Sequence, residues 1–116
     1  MIDMFEAIFG NKSAERVLLF INARGGGYGR EIATFFSDSS LTSLQKQLDK
    51  LETGNVLYAE PQGKTRVYKL NPRYALYKPL KALLDKAIEF YPPNIQEELL
   101  VNRRRPRRTG KPISNA

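Results

Sequence analysis

The sequence predicts a mainly α fold of the α+β class, one domain over residues 1–101 with a basic tail over residues 102–116. Three features carry that expectation. Apolar residues recur at helical spacing through most of the chain, most regularly as Leu41, Leu44, Leu48 and Leu51. Two segments rich in Val, Leu, Tyr and Thr, residues 56–60 and 65–70, are joined by Pro61-Gln62-Gly63-Lys64, a link short enough for a hairpin. A chain of 116 residues encloses a single modest core.

Taken in order, Ile2, Phe5, Ile8 and Phe9 predict a short amphipathic helix that Gly10 ends. A core helix follows over residues 13–23, with Val17, Leu18, Phe20 and Ile21 as its buried side and Asn11 or Ser13 as its cap. "GGGYG", residues 25–29, then breaks the chain. It lacks the G-x-G-x-x-G spacing of a dinucleotide loop and the Gly-Lys-Ser/Thr ending of a triphosphate loop, so it reads as a turn plus one short strand. Residues 29–36 form the third helix, burying Ile32, Ala33 and Phe36, and "SDSS" is a polar turn whose Ser40 caps the next helix.

That helix, residues 41–52, sets its leucine stripe against a side carrying Thr42, Lys46, Asp49 and Lys50, flanked by Ser43, Gln45 and Gln47. Gly54 and Asn55 stop it, Asn being the next best residue to Gly in the left-handed conformation. After the hairpin, Leu76, Tyr77, Leu80, Leu83, Leu84, Ala87, Ile88 and Tyr91 predict one long C-terminal helix with Pro79 in its first turn. Pro92-Pro93 ends it, and Asn94 with Glu97 has capping-box spacing for a last short helix through Leu100.

Composition excludes several kinds of chemistry. With no cysteine and no histidine, thiolate nucleophiles, disulfides and the commonest general base and metal ligand are missing, so no cofactor and no enzymatic activity is expected. Glu31, Asp38 and Glu52 are the acids nearest the glycine turn, and their spacing brings no two onto one face. No apolar run approaches the roughly 20 residues of a membrane-spanning helix. "MIDMFEAIFG" carries acids where a secretory signal carries lysines, which predicts a cytoplasmic protein without a targeting segment. The net charge of +7 lies almost wholly in Arg103, Arg104, Arg105, Arg107, Arg108 and Lys111. Such a block repels itself, stays solvated and reads as a disordered arm that seeks a polyanion, the plainer alternative being a solubilising tail.

The element order and the stretches "REIATFF", "LQKQLDKLETGNVLYAE" and "GKTRVYKLNP" resemble bacterial winged helix-turn-helix regulators of the arsenic-repressor and multiple-antibiotic-repressor kind over residues 13–90. Leu48 and Leu51 stand where those families carry the leucines of the recognition helix. Tyr68, Leu70 and Pro72 match the Tyr-x-Leu-x-Pro that closes the wing. Two departures stand out: "SDSS" is one residue longer than the usual turn and lacks its glycine, and Asn55 replaces a glycine.

The resemblance implies sequence-specific binding of double-stranded DNA, with the helix over residues 41–52 in the major groove. Thr42, Ser43, Gln45 and Lys46 are then the candidate base-edge contacts, Ser40 at the helix start belongs to the same DNA-binding set, and Lys50 reaches phosphate. Arg30 sits against the backbone, and Lys64 and Arg66 on the wing meet a minor groove or its phosphates. Taken alone, an exposed lysine on a helix is ordinarily just solvated. "RRRPRRTGKP" resembles an AT-hook ending at Arg105-Pro106, except that Arg104 stands where that motif requires Gly, so the tail is expected to attract phosphate without reading sequence.

A winged domain of this size reads few base pairs, which predicts a homodimeric transcriptional regulator joined through the N-terminal helix and residues 77–91, with Tyr74, Tyr77 and Tyr91 suited to the interface. The alternative is a winged-helix protein-interaction module, an antitoxin-like partner of a nucleotidyltransferase-type enzyme, whose basic arm docks on that partner.

Overall fold

Helix α2 (Lys12–Arg24) is the centre on which the other elements pack in the computed structural model, which describes residues 6–104. Asn11 starts it, Oδ1 accepting from the Ala14 N–H at 2.7 Å, and the Gly25 N–H closes it on the Ile21 carbonyl. The sequence predicts one buried side, yet every residue from Ala14 to Ala23 is buried. Three polar side chains therefore go inside. Glu15 accepts from the Tyr91 hydroxyl, Arg16 reaches Asp38 and Ser39, and Asn22 bonds Asp85 and Lys81. Hydrogen bonding is what makes their burial tolerable.

Helix α1 (Glu6–Phe9) leads into α2 and ends at Gly10, while Ile2 and Phe5 of the expected N-terminal helix lie outside the described residues. After α2 the chain turns through the glycines into α3 (Gly29–Phe35) and, beyond the Ser-Asp-Ser-Ser turn, α4 (Leu41–Thr53). Ile32, Leu44 and Leu48 from these two helices, with Phe36 just past the end of α3, join Phe20 and Leu18 in the core. Asn55 takes φ +64° just past α4, the left-handed conformation expected of it.

Strands β1 (Leu57–Gln62) and β2 (Thr65–Leu70) pair antiparallel, with Leu57 opposite Leu70, Ala59 opposite Tyr68 and Gln62 opposite Thr65. The link is shorter than the four residues expected, because pairing continues through Pro61 and Gln62 and leaves Gly63-Lys64 as the turn. Proline is admissible there because β1 is an edge strand. On the other side of β2, Gly27 exchanges two backbone hydrogen bonds with Tyr68, at 3.0 and 2.7 Å, so the short strand expected in the glycine stretch is reduced to a one-residue bridge. Only glycine fits at that position: a Cβ on Gly27 would stand 2.8 and 2.9 Å from two atoms of the Phe20 ring.

The long C-terminal helix divides. Helix α5 (Tyr77–Ala87) passes into a 3-10 turn, Ile88–Phe90, and Tyr91 is extended, as a residue before proline prefers to be. Helix α6 (Pro93–Arg104) then begins with Pro93 at its first position, where the missing N–H costs nothing. The Pro92 carbonyl accepts the first bonds, from Ile95 and Gln96, so Asn94 lies inside the helix and the expected Asn94–Glu97 capping box does not form. The helix also outruns its expected end at Leu100. Asn102, Arg103 and Arg104, read from sequence as the start of a disordered arm, are helical. Arg105, Arg107, Arg108 and Lys111 lie outside the described residues.

One ion pair ties the turn between α3 and α4 to the core. Arg16 donates to both carboxylate oxygens of Asp38, at 2.8 and 3.2 Å, with its own side chain only 4% exposed and that of Asp38 69% exposed. The hydrogen bonds from Arg16, ahead of its charge, hold Asp38 below the ordinary aspartate range. A depressed carboxyl contributes stability that is present above its unfolded value and lost as pH falls through its folded one. Acid titration of the unfolding midpoint is therefore expected to show a drop below the ordinary aspartate range that Asp38→Asn removes. An unchanged acid limb in that variant contradicts the assignment.

Candidate nucleic-acid interface

The expected reading surface is the outer side of α4. Ser40 builds its start: Oγ accepts from the Ser43 N–H at 3.0 Å and donates to Ser43 Oγ at 2.9 Å, so both hydroxyls serve the cap while remaining exposed. Leu44 and Leu48 are fully buried and Leu51 half-buried, which fixes the helix's orientation. Leu41 departs from the expected stripe, 39% exposed at the helix start. On the opposite side Thr42, Lys46, Asp49 and Lys50 face solvent.

Gln45 is not free to face outward. It is half-buried, Nε2 donating to Asp49 Oδ1 at 3.0 Å and to the Tyr68 hydroxyl at 3.1 Å. Its Oε1 lies over Gly29, where a Cβ would come within 2.8 Å. The cause is position, since Gln45 follows buried Leu44 and precedes buried Leu48 by three residues and so lies at the margin of the packed side. Asp49, one turn on, is drawn into the same small network. Sequence periodicity placed it on the outer side without singling it out as a site residue.

The cations divide into two groups. Among the described residues Arg30, Lys46, Lys50, Lys64, Arg73 and Lys78 are exposed and form no ion pair. Arg66, by contrast, meets Glu52 at the end of α4 at 2.6 Å and lies 5.6 Å over the Tyr68 ring. It fastens the hairpin to α4. Lys69 and Glu60 pair across the hairpin at 2.9 Å, and this bond raises the lysine's pKa. Arg103 and Arg104 are on the last turn of α6, and Arg105, Arg107 and Arg108 are outside the described residues.

The residues expected to meet a second subunit differ in exposure. Leu76 at the N-cap of α5, Leu83 within it and Phe90 in the 3-10 turn after it are 57%, 41% and 56% exposed. Ile8 of α1 is exposed as well. Tyr74 and Tyr77 are half-buried. Tyr91 is lost to any interface: it is 2% exposed and its hydroxyl serves Glu15.

Among the described residues no helix is long and apolar enough to cross a membrane, and no cluster of acids is placed to hold a metal ion. Compared with protein-family models, with curated proteins and with solved structures, the chain finds no match.

Proposed function

We propose that this chain is a winged helix-turn-helix protein that binds double-stranded DNA and regulates transcription, with α3 and α4 as the motif, α4 as the recognition helix and the β1–β2 hairpin as the wing. One observation carries the reading. Among the cations of α4 and the hairpin, Lys46, Lys50 and Lys64 lie exposed and without ion pairs, whereas Arg66 and Lys69 each face a carboxylate. Lysines left unpaired beside polar Thr42 suit a groove lined with phosphates and base-edge acceptors. Arg66 changes role under this reading: it positions the wing rather than touching phosphate. Exposed Leu76, Leu83 and Phe90 mark the surface on which two copies join, which doubles the base pairs read.

Selection of bound fragments from random duplex DNA tests the proposal, together with the protein's sedimentation at micromolar concentration. A consensus repeated in two half-sites and a dimer are expected. Lys46→Ala is expected to weaken binding of the selected site by about tenfold or more, as loss of one base or phosphate contact does. Fragments without any consensus overturn the reading and turn attention to a module that binds another protein through these apolar residues.

A further inference from the structure

The network at the margin of α4 leaves a carboxylate on the surface assigned to DNA, and it demands an account. Thr42, Lys46 and Asp49 stand four and three residues apart and so share one line on the exposed side of the helix. Asp49 lies one turn beyond Lys46. Against phosphate such a group is repelled, so its placement suits the floor of a groove and not the backbone.

Its geometry is held in advance. Oδ1 takes the Gln45 amide at 3.0 Å, and Gln45 is fixed in turn by the Tyr68 hydroxyl at 3.1 Å and by its seat over Gly29. Tyr68 is 2% exposed and anchored to Gly27 by backbone bonds on both sides. The carboxylate thus has its rotamer chosen before any ligand arrives, which lowers the entropy cost of contact. Its second oxygen, Oδ2, has no hydrogen-bond donor among the described residues.

Resting on the DNA-binding reading above, we infer that Asp49 is a specificity-determining residue that selects cytosine at one position of the bound site. The Oδ2 atom accepts from the cytosine N4 amino group in the major groove. Guanine presents only the acceptors N7 and O6 there, and thymine an acceptor and a methyl group, so both repel the carboxylate. Adenine offers its N6 donor, but the neighbouring N7 acceptor opposes the charge. Selectivity thus arises as much from rejection of the other bases as from the one hydrogen bond.

Random-duplex selection with the full chain, its Asp49→Asn variant and its Asp49→Ala variant decides the matter. The parent consensus is expected to contain a cytosine whose replacement weakens binding about tenfold to a hundredfold. Asparagine keeps an oxygen for Gln45 but turns a donor outward, so Asp49→Asn is expected to choose a different base at that one position. Asp49→Ala is expected to lose preference there without choosing anew, with every other position unchanged in both. A parent consensus reproduced by both variants at all positions overturns the assignment of Asp49 while leaving DNA binding standing. No consensus from the parent overturns both. Circular dichroism spectra that match the parent, with unfolding midpoints lowered only modestly where Asp49→Ala removes the acceptor for Gln45, separate a change of reading from a change of fold.

Discussion

Phe20→Ala is expected to lower the unfolding free energy by about 3–5 kcal/mol, a large share of the roughly 5–15 kcal/mol that holds a domain of this kind together. The ring is fully buried, packs edge-on against Phe35 at 5.7 Å between centroids, and lies beneath the Arg24 guanidinium at 4.7 Å. It is also the wall against which the Gly27 backbone rests, and the same contact is open to attack from the other side. Gly27→Ala drives a Cβ to 2.8 Å from that ring and is expected to cost about 1–3 kcal/mol as an overpacked site. The two changes are not independent. With the milder Phe20→Leu as background, the clashing Cε1 is gone and the remaining Cδ atoms can turn aside, so the penalty of Gly27→Ala is expected to shrink. A double-mutant cycle from urea unfolding midpoints measures this coupling. Simple additivity of the two costs contradicts the contact.

That contact also shows how much of the fold was legible. The helices and the hairpin announce themselves through apolar spacing at 3.6 residues and through strand-forming residues bounded by glycine and proline. Asn11, Ser40 and Asn55 each hold the cap or turn position their chemistry predicts. The errors cluster where proline competes with local pattern. Leu76 to Tyr91 carries a continuous helical period, yet Pro92 forces Tyr91 to extend and Pro93 claims the first position of α6 ahead of Asn94. In the candidate site, Thr42, Lys46, Lys50 and Lys64 are exposed as expected, whereas Gln45 and Arg66 turn out to be engaged by neighbours that no local window contains.

Deletion of residues 103–116 is expected to be the most visible perturbation of DNA binding, given the function proposed above. It removes five arginines and one lysine, six of the cations responsible for the net charge of +7, and cuts α6 after buried Leu99, which stays to hold the helix on α2. Each phosphate contact releases counterions and adds about 0.9 to the slope of log affinity against log salt. If all six residues reach phosphate, the slope is expected to flatten by about 5, with affinity falling most at low salt. The consensus from random duplex DNA is expected to stay the same, because phosphate contacts carry attraction and no sequence. A change of consensus on deletion places base reading in the tail, and an unchanged slope removes the tail from the interface.

By itself the sequence determined the class of fold, the elements and most of their ends, since backbone dihedral preference, capping and apolar period act between residues at most a few positions apart. It also concentrated positive charge at its C-terminal end, a matter of composition alone. Only the tertiary structure decided that Glu15, Arg16 and Asn22 go inside, because their partners Tyr91, Asp38 and Asp85 lie 76, 22 and 63 residues away. The same holds for which cations of the α4 side and hairpin stay unpaired. A charge or an amide reads as solvent-facing in any local pattern, and whether it is buried or exposed depends on which hydrogen-bonding group folding brings within about 3 Å.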